Sequence, residues 1–143
     1  MLPGARVLVV DDDDDVRATF VTALDELGYA SLEASSGEAA LQIIRTDPTI
    51  EAAIFDFAMP GINGAVLAER TRRHRPGLPI LIASGFADTE ALGRVPEATV
   101  LRKPIRLAEL ADALRRAMHP GRQRASAAAD QASAGMSSSR ASV

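Results

Sequence analysis

Four short, almost uninterrupted apolar runs recur along this chain: RVLVV at 6–10, AAIFD at 52–56, PILIA at 79–83 and TVLR at 99–102. A strand with one face in water alternates apolar and polar residues, so runs without that alternation suit strands covered on both faces. Ala30–Ala34 is a fifth, weaker strand candidate. Between the runs, apolar residues fall at helical spacing. Val16, Phe20, Leu24 and Leu27 stand 4, 4 and 3 apart and are followed by Gly28, a natural helix stop. A second helix opens at SSGEAALQII, where Ser35 and Glu38 have capping-box spacing, and ends before Asp47-Pro48. A third follows Asn63 as N-cap to about Arg73, with Val66, Leu67 and Arg70 on successive turns. A short fourth runs from Asp88 to about Arg94, interrupted by Gly93 and Pro96. The fifth carries Leu107, Leu110, Leu114 and Met118 and is stopped by Pro120-Gly121. Strand and helix alternating five times predict an α/β fold, a doubly wound five-stranded parallel sheet with helices on both faces. Ligands of such sheets bind beyond the carboxyl ends of the strands.

Composition narrows the chemistry. The 143 residues are one domain's worth, and 47% hydrophobic with 24% charged residues describes a chain with apolar mass for a core. The absence of cysteine excludes disulfides, thiolate nucleophiles and Cys-based zinc or iron–sulfur sites. A net charge of -3 and a pI near 5.4 disfavour a nucleic-acid-binding surface. With no apolar run near the roughly 20 residues of a membrane span and no secretory signal pattern, a cytoplasmic location without membrane contact is expected. Residues 120–143 hold seven Ala and six Ser in 24 positions, with no Leu, Ile, Phe or Tyr. They are expected to form a flexible tail behind a domain at 1–119. Nothing in that tail would fold into an output domain, so output is expected through protein contact.

The strand ends carry the chemistry. Asp11 and Asp12 follow the first strand, Asp56 ends the third, Ser84 follows the fourth, and Lys103-Pro104 follows the fifth. Lys103 is the only lysine beside fifteen arginines. Within the run Asp11–Asp15, the last two read simply as a helix N-terminus, where carboxylates interact favourably with the dipole. Asp11, Asp12 and Asp56 gathered at one edge would repel one another, and a hard oxygen-liganded cation such as Mg²⁺ relieves that repulsion. A carboxylate-held metal flanked by the Lys103 ammonium and the Ser84 hydroxyl suits phosphoryl oxygens, with Asp56, alone at the end of a central strand, as the candidate nucleophile. His74 and His119 read as exposed, and Arg70, Arg72, Arg73 and Arg75 as a solvated basic face.

VLVVDD (7–12), IFDFAMPGING (54–64), LIASG (81–85) and RKP (102–104), in that order, resemble the receiver domain of two-component response regulators, the CheY-like family, over residues 5–119. The resemblance implies a flavodoxin-like sheet of order 2-1-3-4-5 and a signalling switch, not an enzyme in the ordinary sense. By resemblance, Asp56 accepts a phosphoryl group from a histidine kinase or histidine phosphotransfer protein. Asp11, Asp12, Asp56 and the Ala58 carbonyl hold Mg²⁺, Ser84 and Lys103 bind phosphoryl oxygens, and a downstream protein reads the result. The Lys103-Pro104 bond is often cis in such relatives. The chain departs from the family where Val100 replaces the usual aromatic residue and where the fourth helix is short. Ala58 and Phe86 occupy positions that influence phosphoryl lifetime; neither side chain activates water, which implies slow self-hydrolysis. Two other readings stand beside this one. Asp12, Asp14 and Val16 fit the DxDx(T/V) string of haloacid-dehalogenase-type phosphohydrolases, and an unphosphorylated pseudo-receiver would serve only as a binding module.

Overall fold

The computed structural model describes residues 4–85 and 98–118. The expected helix at 88–94, Phe86, His119, the Pro120-Gly121 stop and the tail lie outside the described residues. In chain order the elements are β1 (Arg6–Val10), α1 (Asp14–Glu26), β2 (Ala30–Ala34), α2 (Gly37–Thr46), β3 (Ile50–Asp56), α3 (Gly64–His74), β4 (Ile80–Ser84), β5 (Thr99–Arg102) and α4 (Leu107–Met118). All strand pairs are parallel and the sheet order is β2-β1-β3-β4-β5. The doubly wound sheet read from the sequence is the fold observed.

Alternate residues of β1, β3 and β4 feed two cores, whereas the edge strand β5, expected from its TVLR run to be covered on both faces, buries only Leu101. On one face Leu8, Val10, Ala53, Phe55, Ile80 and Ile82 pack with Ala40, Leu41 and Ile44 of α2 and Leu67 and Ala68 of α3. On the other, Val7, Val9, Ala52, Ile54, Leu81 and Ala83 pack with Phe20 and Leu24 of α1 and Leu110, Ala113 and Leu114 of α4. Both faces are apolar, which is why the sequence shows runs instead of alternation. Each fully buried leucine, such as Leu24 or Leu114, contributes about 1.5–3 kcal/mol through burial. The weak second candidate is the edge strand β2, covered less fully than its neighbours.

Local boundaries follow capping chemistry. Asp13 caps α1, accepting from the amides of Asp15 and Val16 at 2.9 and 3.2 Å. Gly28 follows the helix at φ +91°, a conformation that favours glycine. The capping box expected at Ser35 and Glu38 is not formed. Ser36 stands directly before the first helical residue in an extended conformation, and its Oγ accepts from the Ala39 amide at 3.1 Å. Asn63 caps α3 as expected, accepting from the Val66 amide at 2.9 Å. β3 begins two residues before the expected start. β4 is displaced by one, because Pro79 precedes the strand with only its carbonyl bonded, to the Ala53 amide at 3.0 Å.

The basic face on α3 is only partly solvated. Arg72 Nη1 donates to the carbonyls of Pro76 and Leu78 at 3.2 and 3.0 Å, and Arg75 Nη2 donates to the Ile50 carbonyl at 2.7 Å. These guanidinium groups satisfy open carbonyls at the amino edge of the sheet, whereas Arg70 and Arg73 are exposed. His74 is exposed, as expected.

Candidate functional site

Strand register assembles the acidic residues. Val10 lies opposite Phe55, so the next residue of each chain segment, Asp11 and Asp56, stand side by side at the carboxyl edge. Asp56 pairs with Ala83, Ser84 pairs with Arg102, and Lys103 follows. Oxygens of Asp11, Asp12 and Asp56 lie within 4.8 Å of one another. Asp11 and Asp56 are buried, while Asp12 is exposed.

The β1–α1 loop fixes the Asp11 carboxylate. The Asp11 amide donates to the Ala34 carbonyl at 3.2 Å, and Asp11 Oδ1 accepts from the Asp13 amide at 2.9 Å. Oδ2 is buried and has no hydrogen-bond partner among the described residues. It faces the Lys103 ammonium at 3.9 Å, and the same ammonium donates to Asp56 Oδ1 at 2.7 Å. Burial pushes the Asp11 carboxyl above its ordinary pKa. The Asp13 amide opposes that shift, the Asp56 charge adds to it, Lys103 lowers it and Asp12 raises it.

This donor set fits a hard divalent cation. Three carboxylates converge, one buried oxygen lacks a hydrogen-bond donor, and neither sulfur nor imidazole is among the clustered ligands. The Lys103 ammonium faces both buried carboxylates.

Ser84 ends β4 and is buried, with its carbonyl accepting from the Lys103 amide at 2.7 Å. Ala58 lies exposed in the loop two residues after Asp56. Val100, the departure on β5, is 42% exposed. The Lys103-Pro104 bond is cis. Asp14 belongs to the first turn of α1, where its side chain is 84% exposed and paired with Arg17 at 2.7 Å. That placement leaves the phosphohydrolase string without a second pocket carboxylate.

Two supporting residues were not singled out in the sequence. A Cβ on Gly64 would stand 2.7 Å from the Asp56 carbonyl oxygen and 2.9 Å from Phe57 Cα, so the close approach of α3 to the end of β3 requires glycine. Arg17 donates to the Asp11 carbonyl at 2.7 Å. The glycine after a helix cap was a visible signal for the first; nothing in spacing marks the second.

The family model described as the response regulator receiver domain matches residues 7–115. This chain belongs to the response regulator receiver family. Among curated relatives, the response regulator receiver protein CpdR of Brucella abortus (strain 2308) is 32% identical over 111 residues, 73% of this chain and 89% of CpdR. The sensor kinase CckA of the same organism is 33% identical over 112 residues, 76% of this chain but 12% of CckA, so this receiver spans a small part of that kinase. Among solved structures, a response regulator receiver domain protein from Clostridium thermocellum superposes with a TM-score of 0.77 at 26% identity, covering 83% of this receiver and 98% of that chain. Among the described residues, no helix of the receiver is long and apolar enough to cross a membrane.

Proposed function

We propose that this receiver is a phosphorylation-controlled switch in which Asp56 accepts a phosphoryl group from a histidine kinase or histidine phosphotransfer protein in the cytoplasm. A carboxylate oxygen of Asp56 attacks phosphorus, the phosphorus–nitrogen bond to the donor imidazole breaks, and the ring nitrogen leaves with the bonding pair. Asp11, Asp12, Asp56 and the Ala58 carbonyl would hold Mg²⁺, which when bound supplies positive charge to the phosphoryl oxygens. Lys103 would provide a second positive charge, releasing its bond to Asp56 Oδ1 as the new oxygens arrive. Ser84 donates its hydroxyl to one of them. Drawing Ser84 and Lys103 toward the new anion shifts the β4–β5 edge between two arrangements, and a downstream protein senses the difference.

The observation that carries this reading is the convergence of Asp11, Asp12 and Asp56 with the Lys103 ammonium bonded to Asp56. Incubation with Mg²⁺ and acetyl phosphate, read by intact mass, tests it. A gain of one phosphoryl group that disappears in Asp56→Asn is the expected result; no gain favours the pseudo-receiver. Ala58 and Phe86 further imply a phosphoryl group that persists well beyond seconds, which a decay series by the same method measures.

A further inference from the structure

Arg17 makes three polar contacts from one side chain. Nη1 donates to the Asp11 carbonyl at 2.7 Å, Nη2 to Asp14 Oδ1 at 2.7 Å, and Nε to Glu33 Oε1 at 3.0 Å. Its side chain is 15% exposed, whereas both carboxylate partners are largely exposed. The contacts close a ring. Glu33 precedes Ala34 on β2, the Ala34 carbonyl receives the Asp11 amide, and the Asp11 carbonyl receives Arg17. Within that ring the peptide groups flanking Asp11 are held from both sides. Asp11 Oδ1 is held by the Asp13 amide, and Oδ2 is the oxygen that faces Lys103.

We propose that Arg17 is a positioning residue for the acidic pocket: its three-point contact sets the main-chain path at Asp11 and thereby the affinity for a divalent cation. This inference rests on the metal-binding reading above. The three contacts come from three different nitrogens of the planar guanidinium, a spread of donors that the single nitrogen of an ammonium does not reproduce. Coulomb repulsion between the guanidinium and the cation, taken alone, predicts the opposite sign. Removing a positive charge beside a cation site would tighten cation binding, whereas loss of position weakens it.

Isothermal titration of Mg²⁺ into the full chain separates the two. Arg17→Gln is expected to bind about tenfold more weakly. Arg17→Lys, which keeps the charge and loses that spread of donors, is expected to bind as weakly as Arg17→Gln. Glu33→Gln, altered at an exposed edge position, is expected to show a smaller loss. Far-UV circular dichroism checks folding, and if Arg17→Gln does not fold, the other two variants carry the test. At saturating Mg²⁺ the phosphoryl uptake of Arg17→Lys should return toward wild type, as an affinity defect requires. Unchanged or tighter binding by Arg17→Gln, or wild-type affinity in Arg17→Lys, overturns the proposal. A wild-type chain that takes up no Mg²⁺ overturns the metal reading and this inference together.

Discussion

The Lys103 ammonium donates to Asp56 Oδ1 at 2.7 Å although 47 residues separate the two in sequence. Lys103 also faces Asp11, so it is a shared counter-ion for two buried carboxylates. Its side chain is 33% exposed, and solvent screening lowers what its removal costs relative to a fully buried pair. Lys103→Met is therefore expected to lose about 1–3 kcal/mol of stability in chelator, with part regained on adding Mg²⁺. Urea denaturation with and without the metal measures both.

Metal binding should itself stabilise the folded chain. At a concentration one hundred times the dissociation constant, linkage gives about 2.7 kcal/mol, visible as a rise in Tm that chelator reverses. Asp11→Asn removes a buried charge whose Oδ2 has no hydrogen-bond partner among the described residues. The metal-free variant is expected to be at least as stable as the parent, and Mg²⁺ should no longer raise its Tm. A variant that still gains the full Mg²⁺ increment would remove Asp11 from the ligand set.

Gly64 and Gly77 form a matched pair of tests. A Cβ at 64 collides with the backbone of Asp56 and Phe57, while one at 77 meets nothing within 4 Å. Gly64→Ala is expected to cost about 1–3 kcal/mol and to lower phosphoryl uptake by displacing the end of β3. Gly77→Ala should leave both unaltered within about 1 kcal/mol. Equal behaviour of the two variants would show that α3 can withdraw without disturbing Asp56.

The site was legible because the hydrophobic runs stop at charged or hydroxyl residues: Val10 gives way to Asp11, Phe55 to Asp56 and Ala83 to Ser84. Parallel pairing then brings those stops to one edge. The supporting shell was less legible. The sequence places the cap at Ser35, whereas the adjacent Ser36 takes it, with an extended backbone and its Oγ on the Ala39 amide. Arg72 and Arg75 looked like surface charge because the carbonyls they satisfy belong to other segments. Arg17 reaches Glu33 on β2, a contact with no counterpart in helical or strand spacing. The close approach at Gly64 likewise depends on how α3 docks against β3.

Away from the pocket, Asp47 supplies an acid-limb prediction. The Thr49 hydroxyl and then the Thr49 amide, with help from Arg6 at 3.0 Å, hold its carboxyl below the ordinary pKa. A carboxyl depressed in the folded state contributes stability above its unfolded pKa, and that contribution is lost as the pH falls through the folded value. Asp47→Ala should thus be destabilising at pH 7 and less so in strong acid. Thermal melts of both proteins across that range read the difference; a gap that widens on acidification would contradict the assignment.

Because Lys103 is the only lysine in the chain, the pocket's cation is also its sole side-chain amine. Any amine-directed coupling, whether a fluorescent ester or attachment to a sensor surface, has only this nitrogen and the chain's α-amino group to choose between. Conjugates made through Lys103 would arrive with their pocket blocked, so quantitative work on this protein calls for tethering through some other chemistry.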